Sequence, residues 1–173
     1  MKRQPLCPLL ALFFLFFQTM NAKGVELIPS IILQASSSTR CWHFDAHVLA
    51  TPKTRQIGFS GQPLTVSALL FVWPQTQARN FWMKNTHIRI HLFRVDQTGQ
   101  VETHDQLDPG EAFVYRDPSQ GRYAVEIRSD WLDTQSSEAL QHITKFSGGP
   151  FGSSTRTGCQ PLQRPSRGMI PSH

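Results

Sequence analysis

The sequence predicts a mainly β fold, a compact barrel- or sandwich-like domain with one or two short helices. Three observations carry this. "CWHFDAHVLA" and "HIRIHLFRV" alternate apolar and polar residues with the period of two that a half-buried strand requires. "ALLFVWP" is a nearly continuous apolar run, the pattern of a strand buried on both faces. The helix signals between such runs are short.

Met1–Ala22 reads as a secretory signal, with Lys2 and Arg3 ahead of the unbroken apolar run Leu9–Phe17. At about 1.5 Å per residue that run cannot cross a hydrocarbon core of roughly 30 Å. Cys7 precedes it, the wrong place for a lipoprotein anchor. Cleavage after Ala22 is expected, and with it a periplasmic or secreted protein with no remaining transmembrane span; an uncleaved signal anchor is the alternative.

Residues 23–40, ending in ASSSTR, read as a linker, and the domain is expected over 41–140. In its first strand Trp42, Phe44, Ala46 and Val48 share one face, and His43, Asp45 and His47 the other. "TPKTRQIG" is a one- or two-turn helix: Thr51 caps, Pro52 suits the first position, and Gly58 suits a left-handed exit. A buried strand over 68–74 stops at Pro74. Residues 87–104 form a hairpin around the turn "DQTG". "DPGEAFVYRDPSQG" is a long loop with a short strand at 112–115, "RYAVEI" is a further strand, and Ser129 caps a helix to about Leu140. From Phe146 onward Gly, Pro, Ser and Arg dominate, so 141–173 reads as a disordered basic tail.

The formal net charge is +5. Of the 17 Lys+Arg, Lys2 and Arg3 belong to the leader, which leaves 15 against 12 Asp+Glu. Residues 139–173 hold Lys145, Arg156, Arg164 and Arg167 and no acid, so the excess lies outside the domain. A nucleic-acid footprint on the folded face is not supported. Cys41 and Cys159 survive cleavage and are a disulfide candidate in an exported chain, with two separate thiols as the alternative.

"RNFWMKNTHIRI" breaks the alternation. A continuous strand would put Lys84 in one row with Trp82, Ile88, Ile90 and Leu92. Either a bulge near Lys84-Asn85 changes the parity, or Lys84–Thr86 emerges at a rim. Asn85 then satisfies irregular backbone and Lys84 pairs with a carboxylate, or the two form a polar notch that holds an anionic or carbonyl ligand. Trp82, Lys84, Asn85 and His91 are the binding candidates.

Phe81-Trp82-Met83-Lys84-Asn85-Thr86 resembles the signature of the small prokaryotic family known as domain of unknown function 192. Thr51-Pro52, Arg55, Gly58, Leu70-Phe71-Val72, Pro74, Asp96, Gly99, Tyr123 and Glu126 extend the resemblance over about 42–135. It implies a small β-rich fold with a short helix after the first strand, often exported. Arg55, Gly58, Phe81, Met83, Thr86, Gly99 and Tyr123 are read as structural motif positions, and no catalytic residue carries over. The chain departs from the family at Lys53 and Thr54 (usually acidic), Ser60 (usually Met) and His91 (usually Asp).

His43, Asp45 and His47 cannot together ligate one ion, since i and i+4 on a strand are about 13 Å apart. His87 and His91 share that spacing. His104-Asp105 could orient an imidazole, but no nucleophile stands beside it. No metal, cofactor or catalytic residue is assigned. The expectation is a monomeric, non-enzymatic envelope binding or accessory module, its partner an envelope protein or a small ligand. The competing expectation is a small hydrolase or metal-assisted enzyme using a notch of Lys84, Asn85 and His91.

Overall fold

A computed structural model describes residues 28–60, 65–110, 114–132, 138–153 and 158–161. The expected signal segment lies outside them. The fold is mainly β, eight strands in one mixed sheet: β1 (Ser30–Ser36), β2 (Cys41–Leu49), β3 (Ala68–Trp82), β4 (Ile90–Val95), β5 (Val101–Leu107), β6 (Val114–Arg128), β7 (Lys145–Ser147) and β8 (Gln160–Pro161). One helix, α1 (Pro52–Ile57), follows β2. The order is β5-β4-β6-β3-β2-β1-β7, with β8 beside β2. β2 and β3 are parallel, so α1 lies on the crossover between them.

The sheet is open but strongly curled. Its two ends meet at one bridge between Gln100 and Lys145, flanked by Val101 N–H to Thr144 O at 2.9 Å and Phe146 N–H to Gly99 O at 2.7 Å. The concave face encloses one core, which includes Leu33, Trp42, Phe44, Phe93, Val125, Ile127 and Phe146. The convex face carries a second core under α1 and the connecting segments, which includes Leu49, Phe59, Leu69, Phe71, Phe81, Met83, Ile90 and Leu92. Strand alternation thus feeds two apolar layers, which is why β4 is buried at every position.

Gly99 closes the β4–β5 turn at φ 87°. A Cβ there would stand 2.1 Å from the Phe146 carbonyl oxygen. Only glycine combines this left-handed turn with so close an approach of β7. Asp96 organises the same turn, accepting from Thr98 N–H at 2.8 Å and Gln100 N–H at 2.9 Å. Tyr123 packs on the first core and meets Phe151 edge-on at 5.1 Å.

α1 is held by a capping box. Thr51 Oγ1 accepts from Thr54 N–H at 3.2 Å, and Thr54 Oγ1 accepts from Thr51 N–H at 3.2 Å. Thr54, one of the departures from the family pattern, thus fills the role an acidic residue plays in the usual box. Thr51→Ala is expected to cost about 1 kcal/mol in denaturant unfolding.

Several sequence expectations need correction. The segment read as a linker contains β1, whose Leu33 and Ala35 are fully buried. β3 does not stop at Pro74 but runs on to Trp82. A register shift between Val72 and Gln77 takes Pro74 out of the ladder, where its missing N–H costs nothing. Of the loop expected through Gly121, residues 114–121 are the first half of β6, which pairs with β3; residues 111–113, with part of the short strand expected at 112–115, lie outside the described residues. The helix expected from Ser129 begins as a 3-10 turn, Ser129–Trp131, followed by extended Leu132; residues 138–140 are helical, and 133–137 lie outside the described residues. The tail expected from 141 contributes β7, a 3-10 turn at Gly149–Phe151 and β8. A disulfide joins Cys41 to Cys159 and ties that segment to β2.

Candidate functional site

The polar interruption in "RNFWMKNT" is a chain reversal at the end of β3, not a bulge inside it, and Lys84 and Asn85 emerge exposed there. β3 ends at Trp82, and Thr86 N–H donates to Met83 O at 3.0 Å. Asn85 takes φ 57°, the one non-glycine residue with positive φ among the described residues. Asn tolerates that conformation better than most side chains. Phe81, Met83 and Thr86 are buried on either side of the turn and anchor it. Lys84 is exposed at its tip, and no ion pair among the described residues involves it. Its carbonyl accepts from the Ser60 hydroxyl at 3.0 Å. Lys84→Ala is expected to shift stability by less than about 0.5 kcal/mol in a denaturant titration.

His91 does not join these residues. It is fully buried and, by strand alternation, lies on the face of Phe93, opposite Ile90 and Leu92. Its Nδ1 is 3.1 Å from His104 Nε2, and the two rings stack at 5.3 Å. Burial first, then His104 and Arg89, lower its pKa to about 4. His91 is therefore a neutral ring in an aromatic stack. Asp105 is engaged elsewhere, with Arg94 at 2.6 Å. His43 and His47 are half-buried on β2 with Asp45 exposed between them, and His87 is exposed. Among the described residues no group of three or more His, Cys, Asp or Glu converges as a metal site.

The cleft that the fold does build lies between α1, β3 and β6, with a volume of about 430 Å³. Phe71 and Trp73 stack at 5.6 Å, and Phe81 meets each of them edge-on at 6.0 Å. Arg55 comes from α1, its Nη1 donating to Ala50 O and to Val72 O, the latter at 2.8 Å. This explains a structural role for Arg55: it pins the helix to β3. Arg79 lies over Trp73, its guanidinium carbon 4.9 Å from the ring centre, against 5.9 Å for Arg55. Trp82, half exposed at 52%, stands at the rim.

Glu126 completes the cleft. It sits on β6 between Leu69 of β3 and Leu92 of β4. Its residue is only 7% exposed, and burial raises its pKa to about 8. At neutral pH the carboxyl is protonated. Gly58 ends α1 directly beside it: a Cβ there would stand 3.6 Å from Phe71 Cζ and 3.9 Å from Glu126 Oε2. No described ion pair involves Glu126.

Sequence reasoning assigned no binding role to Glu126, Arg79 or Trp73. On β6, Arg122, Ala124, Glu126 and Arg128 look like the solvent face of a strand. That face becomes interior only because α1 and the following segment cover it. A single acid in "YAVEI" was the available signal, and its resemblance to the family's final strand marked it only as a strand position.

The family profile described as DUF192, Uncharacterized ACR, matches residues 33–142. The chain belongs to this family. The matched span contains the turn at Lys84-Asn85 and every cleft group named above. No curated protein matches the DUF192 chain. Two crystal structures resemble it in fold. One, from Sinorhizobium meliloti 1021 and described as a candidate transcription regulator, has a TM-score of 0.62 at 15% identity, covering 71% of this chain and 96% of that one. The other, a protein of unknown function from Novosphingobium aromaticivorans DSM 12444, has a TM-score of 0.60 at 13% identity, covering 72% and 89%. At these identities the likeness concerns the fold alone. Among the described residues of the DUF192 chain, no helix is long and apolar enough to cross a membrane.

Proposed function

We propose that this DUF192 domain is a non-enzymatic binding module of the cell envelope, exported by its N-terminal leader, that seats a small ligand in the cleft between α1, β3 and β6. The observation that carries this is Glu126. A carboxyl buried among aromatic rings at an open cleft is costly to the fold, and such groups concentrate at functional sites. The cleft volume falls within the range of small-molecule pockets. The leader and the Cys41–Cys159 bridge support export, because disulfides persist in oxidising compartments.

Binding is favoured over catalysis by the kind of groups present. Arg55, Arg79 and Glu126 can hold and polarise a ligand, and the Ser60 hydroxyl is engaged by Lys84 O. One observation favours the enzymatic reading: a carboxyl titrating near pH 8 can exchange a proton at neutral pH. A single experiment separates the two. The chain without its leader is incubated with envelope extract and repurified, and the small molecules released on denaturation are identified by mass spectrometry. Ser60→Trp, which puts an indole into the cleft, is run in parallel. Compounds retained unchanged by wild type and lost from the folded variant support binding. Time-dependent conversion of the compound supports catalysis. Identical profiles from both proteins defeat the cleft as the site.

A further inference from the structure

The cleft brings together two cations and a neutral acid. Arg55 spends its guanidinium on two main-chain carbonyls, Ala50 O and Val72 O. Arg79 Nη2 donates to Gln75 O at 2.7 Å, while its Nε is buried without a hydrogen-bond partner. No carboxylate among the described residues pairs with either. Burial first, and then the charge of Arg55, lower the pKa of Arg79, so Arg79 in particular is left needing a negative partner. Beside them stand Trp73, Phe71 and Phe81, flat apolar surfaces within about 6 Å of one another.

Resting on the binding reading above, we propose that the cleft takes an organic carboxylate: a small monoanion with a flat apolar body. Its carboxylate is held by Arg79 with Arg55 behind it, and its body lies against the aromatic wall. Guanidinium groups match the planar, two-oxygen geometry of a carboxylate. Phosphates match it too, but a dianion is more costly to desolvate beside a buried carboxyl and three aromatic rings. Glu126, protonated, donates to an acceptor oxygen of the ligand.

This last contact sets a pH dependence. The charged groups on the elements around Glu126 include Arg55 from α1, Arg79 from β3, Arg94 from β4, and Arg122 and Arg128 on the same face of β6; Arg122 donates to Trp73 O at 3.2 Å. Arg94 is paired with Asp105 and Arg128 with Asp130, each at 2.6 Å. Burial keeps the carboxyl protonated. When Glu126 ionises above about pH 8, it loses its donor and repels the bound carboxylate.

The test is calorimetric titration of the leaderless, disulfide-bonded chain with 2-naphthoate, 2-naphthamide and 2-naphthyl phosphate at pH 7 and pH 9. The acid should bind at least tenfold more tightly than the amide at pH 7, and lose about tenfold by pH 9. Arg79→Gln should abolish the preference for the acid while the thermal midpoint stays within a few degrees. Glu126→Gln should bind the acid at pH 7 and show no loss at pH 9. Equal affinity for acid and amide, or tighter binding of the phosphate, overturns the carboxylate assignment. Failure of all three probes overturns it as well. In that case, capture of another compound by the cleft from extract leaves the binding reading standing, and failure to capture any removes both.

Discussion

Glu126→Gln makes the domain increasingly more stable than wild type as pH rises from about 4.5 to about 8. In the unfolded chain the carboxyl releases its proton near 4.5, its ordinary value, and in the fold near 8. Between those values the folded state holds more protons than the unfolded one, so stability falls with rising pH, by about 1.4 kcal/mol per unit. The contribution of the neutral carboxyl is fully present below pH 4.5 and is lost by about pH 8, a total of about 5 kcal/mol. Gln has the same shape and does not titrate. The difference between the two unfolding curves, measured in urea at half-unit pH steps, isolates Glu126. His91 acts in the opposite direction. Its pKa is lowered to about 4, so stability rises with pH between about 4 and 6.5. This slope is common to both proteins and cancels in the difference. A difference that is flat with pH would show that Glu126 is not held protonated, and would remove the main support for the cleft.

Phe146→Ala is expected to cost about 3–5 kcal/mol, the range for removing a fully buried aromatic side chain. Phe146 has no exposed surface, meets Phe93 edge-on at 5.3 Å, and sits opposite Ala35 in the β1–β7 ladder. It also stands where the curled sheet closes, since its N–H donates to Gly99 O. Truncation therefore leaves a cavity in the concave core and loosens the seam between the sheet's two ends. The measurement is a guanidinium unfolding curve with the Cys41–Cys159 bridge intact, so that chain connectivity is unchanged. A loss below about 1 kcal/mol would mean that the C-terminal segment does not complete the core.

These two residues mark the limit of what local pattern can reveal. Phe146 is flanked by Lys145, Ser147 and two glycines, and nothing nearby continues an alternation. A three-residue strand carries too little period to be recognised, and its burial depends on β1, more than a hundred residues earlier. β1 escaped recognition for a related reason: Ile31-Ile32-Leu33 does not alternate, and a serine run follows it. β2, α1 and the β4–β5 hairpin were legible because each is specified within its own span. Period-two alternation defines β2, Thr51, Pro52 and Gly58 delimit α1, and Asp96 and Gly99 build the turn.

By itself the sequence determined the mainly β class, the helix that follows the strand starting at Cys41, the hairpin, and, through the Phe-Trp-Met-Lys-Asn-Thr signature, the family. It also singled out Lys84 and Asn85, which the structure uses to reverse the chain. The tertiary structure alone decided which strand faces become interior. His91 looked available and is buried in an aromatic stack, while Glu126 looked solvated and is buried at a cleft. The physical reason is that alternation shows which residues share a face of a strand. Whether that face meets water depends on what packs over it. Here α1, resting on β3 through Arg55, turns the outer side of β6 into the wall of a pocket.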